Sequence, residues 1–326
     1  MKPNAIYLLL KTARPRQWIK NFALYAALFF SGFLFYTPPD DWPYFFTVTF
    51  AVMTFCFLTS AVYIINDIID IDADRSHPFK KKRPLASGKL SLQLASVAVV
   101  VLLSIVVYLS LYLHPFFRIT ITAYFMLQIL YATVTKHIPI LDVLSIAAGF
   151  LLRIYAGAVV VNLHMNVWFL LTVISASLFL AVGKRQSERT LMTGIVDESV
   201  NKPLKEIGET RKTLKHYSQR LLDQYTGMFA NATWLTYALF AFQLENIRPE
   251  GDWLQVYTLL PKTLQSEKLL MLTVPFVIFG VMRYLQLVYE DNQGESPEVI
   301  LLRDKSLLAT VFMFVIVTLV VLYAVG

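Results

Sequence analysis

The stretch Asn66-Asp67-Ile68-Ile69-Asp70-Ile71-Asp72-Ala73-Asp74 directly follows the apolar run ending in Ala61-Val62-Tyr63-Ile64-Ile65. Acids crowded at the end of an apolar helix repel one another and lose hydration, so something must offset their charge. A bound divalent cation is suited to this, because hard ions such as Mg²⁺ take oxygen ligands. At about 100° per residue, Asp67, Asp70 and Asp74 fall within an arc of roughly 60° on a helix, whereas Asp72 points well away. The cationic run Lys80-Lys81-Lys82-Arg83 then suits an anionic partner on the same side. Acids and cations together read as a Mg²⁺-plus-phosphate site at a membrane surface. The plainer reading of either cluster is a solvated helix end. Juxtamembrane Lys and Arg often only set topology, which explains the basic run more readily than the three aspartates.

A bundle of membrane helices has to position that stretch. Hydrophobic residues make up 56% of the 326-residue chain and charged residues only 16%, against about 25% charged in soluble domains. Mean hydropathy is +0.56. Apolar segments recur along the whole chain, so the expected fold is one all-α polytopic membrane domain over 1–326. Segments of about 20 apolar residues are long enough to cross a bilayer. They predict nine transmembrane helices, near 20–36, 44–66, 93–113, 117–135, 139–161, 167–184, 222–243, 267–288 and 306–325. The seventh is the most polar. Cys56 is the single cysteine and has no intrachain partner for a disulfide. The basic first residues lack a small-residue cleavage pattern, so no cleaved signal peptide is expected.

The charge distribution predicts orientation. Of the 29 Lys and Arg, only Arg118, Arg248, Lys262 and Lys268 fall on one side, and Arg153 lies inside a span. The rest flank the other side, which the positive-inside rule assigns to the cytoplasm. The N-terminus and the connections 67–92 and 185–221 are therefore expected to be cytoplasmic, with the C-terminus external. The net charge of +7 is spent on membrane flanks, which argues against a nucleic-acid partner. Residues 185–221 are expected to form a polar loop with short helices over the cytoplasmic face.

Other candidates lie on the same side. Tyr131 and Lys136 close the fourth span, and Asp142 opens the fifth, where it could simply complement the helix dipole. Arg153 is mid-span, at a cost of about 2.5 kcal/mol or more. It must meet an acid on another helix or line the site and meet phosphate, and the second reading is favoured. Lys184 and Arg185 end the sixth span in Gly183-Lys184-Arg185-Gln186-Ser187-Glu188-Arg189. Arg185 and Arg189 would repel at i,i+4 unless an anion lies between them. The five histidines show no zinc spacing, and there is no Walker A sequence.

Asn-Asp-x-x-Asp-x-x-x-Asp at 66–74, followed by Arg83-Pro84-Leu85-Ala86-Ser87-Gly88, resembles the first signature of the UbiA superfamily of intramembrane prenyltransferases. That resemblance implies a nine-helix bundle with a cytoplasmic active site. Most members carry a second aspartate-rich motif after the sixth helix, where this chain has Gly183-Lys184-Arg185-Gln186-Ser187-Glu188. One branch is similar in this departure, and also at Arg14–Asn21, Asp74–Pro78, Lys136–Val143, Gly149–Arg153 and Leu301–Asp304. That branch comprises the phosphoribosyltransferases that act on decaprenyl phosphate. The resemblance implies transfer of 5-phosphoribose from phosphoribosyl pyrophosphate (PRPP) to a decaprenyl or other polyprenyl phosphate in the bilayer, for cell-wall arabinan precursors. It implies Asp67, Asp70 and Asp74 as ligands of Mg²⁺ on the pyrophosphate, with Asn66 assisting. Lys20, Lys80, Arg83, Lys136, Arg153, Lys184 and Arg185 are its candidate phosphate contacts, with Tyr131 and Asp142 alongside. The membrane is expected to be the bacterial inner membrane, and a homo-oligomer is compatible with this architecture. Two competing readings are prenyl transfer to an aromatic or other acceptor, and a carrier for an anionic lipid. The aspartate triad disfavours the carrier, since acids repel anionic cargo.

Overall fold

The computed structural model describes residues 5–39, 41–76, 80–198, 217–244, 268–290, 300 and 303–325. All regular elements among them are helical. They form two compact units, one up to His164 and one from Met165 onward.

The first unit begins with α1 (Ala5–Ala13), a 3₁₀ segment over Pro15–Leu24 and the short α2 (Tyr25–Phe30). It continues with α3 (Tyr44–Ile69), α4 (Ile71–Ser76), α5 (Leu92–Ser110), α6 (Pro115–Thr133) and α7 (Leu141–Val160). α3 is its axis: Val48, Ala51, Phe55 and Leu58 are buried with Leu24, Leu28, Phe117, Tyr124 and Ala156 in one core. α5 is apolar all round and buries only Ala95, Val106 and Ser110, the pattern of a helix whose outer face meets lipid. The second unit contains α8 (Val167–Glu198), α9 (Gln219–Gln243), α10 (Val274–Tyr289) and α11 (Lys305–Leu319). Its core gathers Phe179, Ala230, Tyr284, Leu287 and Leu307.

Among the described residues, seven helices are long and apolar enough to cross a membrane. They correspond to seven of the nine expected spans. The expected span 20–36 is instead a composite: the chain winds as a 3₁₀ helix to Leu24, continues as α2 and turns at Gly32. Rises of about 2.0 and 1.5 Å per residue would still carry the two pieces roughly 29 Å if collinear. The expected span 222–243 is the continuous α9, whose polar side chains, Asp223 and Asn231 among them, leave it less apolar than the seven. A further correction concerns 185–221. α8 does not end near 184 but runs unbroken to Glu198, so the expected loop begins as helix; residues 199–216 lie outside the described residues.

The 3₁₀ segment packs against α7 at one unusually close point. A Cβ on Gly157 would stand 1.8 Å from the carbonyl oxygen of Leu24, so only glycine lets these two backbones touch. This contact brings Asn21 beside α7.

Candidate functional site

α3 stops at the acids. Asp70 has φ −90° and ψ 8°, a sparsely occupied conformation, yet the helical bonding continues on both sides. The Asp70 amide donates to the carbonyl of Asn66 at 3.0 Å, and the Asp74 amide donates to that of Asp70 at 2.8 Å. The three aspartates therefore stay near the expected single face across a one-residue break. Asp67 and Asp74 are each 2% exposed, whereas the side chain of Asp72 is 88% exposed and bonded only to Arg75, at 3.1 Å.

Each of the three inward acids holds a cation. Arg83 Nη1 donates to Asp67 Oδ1 at 3.1 Å and to Asp74 Oδ2 at 2.5 Å. Arg14 Nη2 donates to Asp67 Oδ1 at 2.5 Å, and Lys136 Nζ donates to Asp70 Oδ1 at 2.5 Å. The aspartates thus divide into a pair joined by one guanidinium and a third acid with its own ammonium. Among the described residues no three acids converge as a ready-made metal cage.

Local folding explains how the cations arrive. Arg83 rides on a chain of turns from Lys80 to Leu90, pinned by the buried side chains of Leu85 and Leu90 against Leu8, Ile64 and Ala95. Gly88 has φ +69° there, a conformation that glycine adopts at no steric cost. Lys136 sits in the short 3₁₀ turn Thr135–His137 between α6 and α7, and Ser145 Oγ bonds Thr135 Oγ1 at 2.8 Å to hold it. Arg14 has a left-handed backbone, φ 53° and ψ 60°, just before Pro15. Its guanidinium also lies 5.1 Å from the ring centre of Tyr63.

A cavity of about 250 Å³ opens beside Asp67, lined by Lys11, Arg14, Lys82, Arg83 and Pro84. Four cations around one carboxylate make an anion-attracting mouth over an acidic floor. Burying a carboxylate costs several kcal/mol, and apolar side chains would often serve stability as well. The retained acids therefore point to chemistry. Their hard oxygens fit Mg²⁺, which is commonly bound by one or two carboxylates plus substrate phosphates rather than by an all-protein cage. Asp67 and Asp74 are close enough together to share a single Arg83 nitrogen.

The remaining candidates are distributed as follows. Asn66 is half-buried beside Asp67, and Lys20, Lys80 and Tyr131 are half-buried in the same unit. Asp142 is fully buried in the first turn of α7, where the Val143 amide donates to its Oδ1 at 2.9 Å. Lys184 and Arg185 belong to α8 in the second unit, with Arg185 3% exposed; the Lys184–Glu188 contact falls outside the described side chains. Arg153 meets neutral acceptors rather than an acid. Its Nε donates to Asn21 Oδ1 at 3.2 Å, Nη1 to the Gly149 carbonyl at 3.1 Å and Nη2 to the Tyr124 hydroxyl at 2.6 Å. Rings of Tyr124 and Phe150 lie 4.9 and 5.3 Å from its guanidinium carbon. Sequence reading named Lys82 only within the basic run, singled out neither Arg14 nor Lys11 as a contributor, and missed Asn21 and Tyr124 as partners of Arg153. The available signal was polar residues placed among apolar ones.

Residues 23–189 match the UbiA prenyltransferase family. A decaprenyl-phosphate phosphoribosyltransferase of Corynebacterium glutamicum is 33% identical over 95% of this chain and 85% of its own length. The enzyme of the same name from Mycolicibacterium smegmatis is 31% identical over 93% of this chain and 89% of its own. Among solved structures, a UbiA homologue from Archaeoglobus fulgidus bound to GPP and Mg²⁺ superposes with a TM-score of 0.66 at 18% identity, covering 97% of this chain and 99% of that one. At that identity the likeness concerns the fold. The chain belongs to the UbiA prenyltransferase family.

Proposed function

We propose that this protein transfers 5-phosphoribose from PRPP to a polyprenyl phosphate, decaprenyl phosphate in the first instance, and releases pyrophosphate. The observation that carries the reading is the pairing of every inward aspartate with a cation under a mouth lined by Lys11, Arg14, Lys82 and Arg83. A donor with a pyrophosphate and a second phosphate needs both kinds of group. The names of the two relatives support the choice of donor and acceptor. The charge distribution supports a site on the cytoplasmic side of the membrane; a product that feeds arabinan synthesis in a bacterial inner membrane is part of the same proposal.

Asp67 and Asp74, with Asp70 and Asn66 beside them, would hold Mg²⁺, which when bound neutralises charge building on the departing pyrophosphate. Arg14 and Arg83 exchange carboxylate partners for phosphate oxygens as the donor enters. Both are forked donors suited to that geometry. Lys136 supplies a point charge for the same anion, held ready by Asp70. The C1–O bond to pyrophosphate breaks, its electron pair leaves with the pyrophosphate, and an oxygen of the lipid phosphate bonds to C1. That oxygen is already anionic, so no general base is required.

The test uses detergent-purified full-length protein, Mg²⁺, ribose-labelled PRPP and polyprenyl phosphate, followed by lipid extraction. Labelled lipid that disappears with EDTA and in Asp67→Ala is the expected result. If ribose label never enters lipid while a labelled prenyl diphosphate is transferred to an acceptor, the chain is a conventional prenyltransferase and the reading is overturned.

A further inference from the structure

α1 lies outside the expected pattern of spans, and its 9 residues make a helix about 14 Å long, too short to cross a bilayer. Leu8, Thr12 and Ala13 turn inward. Thr12 Oγ1 donates to the Leu8 carbonyl at 2.9 Å, so the inward hydroxyl is satisfied within the helix. The opposite face is apolar as well. Ile6, Tyr7 and Leu10 are 64%, 60% and 54% exposed. At about 100° per residue they share an arc of roughly 100°, with Lys11 some 40° beyond its edge. A surface helix of a soluble protein carries its charges opposite the buried stripe. α1 instead carries apolar side chains on both broad faces and a cation on one flank.

Its surroundings identify the medium that the outer face meets. Leu8 and Ala13 share a cluster with Ile64, Leu90 and Ala95, joined by Val99 and Leu102. α5 begins at Leu92, so Leu102 lies roughly 15 Å along it. The cluster that holds α1 thus reaches well into the apolar length of a helix able to cross the membrane. On α5 itself Val97, Val100 and Val101 are 58%, 65% and 51% exposed. The outer arc of α1 continues this lipid-facing surface. On its flank, Lys11 lines the cavity beside Asp67. α1 then hands the chain directly to Arg14, whose guanidinium holds that acid. Seating α1 therefore sets two of the cavity's cations.

We propose that α1 is an interfacial helix, embedded through Tyr7 and Leu10 in the headgroup–acyl boundary of the leaflet at the aspartate end of the bundle. The occupant of its outer face is phospholipid. Helices of this kind sink about 5–10 Å into that boundary and keep their cations on the polar side, which here is the side of the cavity. This seating holds Lys11 and Arg14 in place whichever group the site transfers.

The test is nitroxide labelling of the full-length protein in vesicles of equal parts phosphatidylcholine and phosphatidylglycerol. Cys56 is the single cysteine, so Cys56→Ala supplies the background for Tyr7→Cys, Leu10→Cys and Lys11→Cys, introduced one at a time. Relaxation by oxygen, which dissolves among acyl chains, is compared with relaxation by a water-soluble nickel chelate. Labels at 7 and 10 should favour oxygen, at depths of about 5–10 Å, and the label at 11 should favour nickel. Nickel access at all three positions would place α1 in water and overturn the proposal. Labels at 7 and 10 shielded from both reagents would show that protein covers this face, a second copy or another segment of the chain, and would overturn it too. An oxygen preference at 11 equal to that at 10 would remove the flank that joins lipid to cavity, with the same consequence. With Cys56 left in place, Leu10→Trp gives a second reading. The emission it adds to that of the wild type should be quenched by brominated acyl chains rather than by iodide, and the reverse overturns the proposal independently.

Discussion

Lys136 Nζ lies 2.5 Å from Oδ1 of Asp70, 66 residues earlier in the chain. The side chains of both remain partly open, 20% and 22% exposed, so the pair can part when an anion and a cation replace the two partners. Asp67 and Asp74, by contrast, lie under a shared arginine. The motif thus consists of two buried acids and one at the rim, and all three are held by groups that suit phosphate.

The first prediction separates the inward acids from the outward one. Asp67→Ala and Asp70→Ala should each lower kcat by at least about 100-fold, since each removes a carboxylate proposed to hold the Mg²⁺ that offsets charge on the leaving pyrophosphate. Asp72→Ala should stay within about 2-fold, because that side chain is 88% exposed and meets only Arg75. Rates of labelled-lipid formation measure this. Similar losses at Asp70 and Asp72 would refute the geometry of the site.

How much of this arrangement was legible in the chain depends on range. The aspartates stood out because acids at the end of an apolar helix need a reason, and Arg83 follows closely enough to be read with them. Lys136 could be suspected as a cation beside a span, but its partner could not, since only tertiary packing joins it to Asp70. Arg14 reaches Asp67 across 53 residues from a left-handed backbone that no local pattern signals. Arg153 posed the right question, a buried cation needing company. The answer, Asn21 and Tyr124, depended on Gly157 letting a 3₁₀ segment lie against α7. Helix existence was readable from hydropathy, whereas the winding of Pro15–Leu24 and the reach of α8 to Glu198 were set by packing that hydropathy does not report.

A second prediction concerns backbone strain. Ile140 has φ 71° and ψ −50° immediately before α7, close to the rare, strained form of the γ-turn, and it is a β-branched residue with 51% exposure. Such conformations cost of order 1–3 kcal/mol. Ile140→Gly should relieve part of that and raise the thermal midpoint in detergent by about 2 °C. Lys136 lies four residues earlier in the same connection between α6 and α7, so KM for the donor should rise as its placement loosens. A lower midpoint would show that the turn is not strained.

Two glycine substitutions should act in opposite directions. Gly157→Ala drives a methyl group into the Leu24 carbonyl, 1.8 Å away. Backbone cannot swing aside as a side chain can, so the loss should be about 3 kcal/mol or more, beyond ordinary overpacking. Gly227, within α9, has nothing within 4 Å of its added Cβ. Gly227→Ala should therefore stabilise by up to about 1 kcal/mol through helix propensity. Thermal unfolding of the two variants side by side provides the test. A well-folded Gly157→Ala protein would remove the close contact from the account.

The last prediction is a pH dependence in the second unit. The hydrogen bond from Arg283 is the largest influence on Asp304, and with the Leu307 amide it holds this carboxyl below the usual carboxylate range. Asp304 also caps α11 through that amide at 2.8 Å. A depressed folded-state pKa means that the unfolded chain binds a proton more readily. The associated stability is present in full above the unfolded value of about 3.9 and is lost as pH falls through the folded value. Arg283→Gln should therefore lower the thermal midpoint at pH 7, and the difference from wild type should shrink below about pH 4. Both side chains reach solvent, 25% and 15% exposed, so screening keeps the effect modest, and added salt should reduce it further. A deficit that is the same at pH 7 and pH 3 would mean that Arg283 acts through packing of its stem rather than through the charge of Asp304.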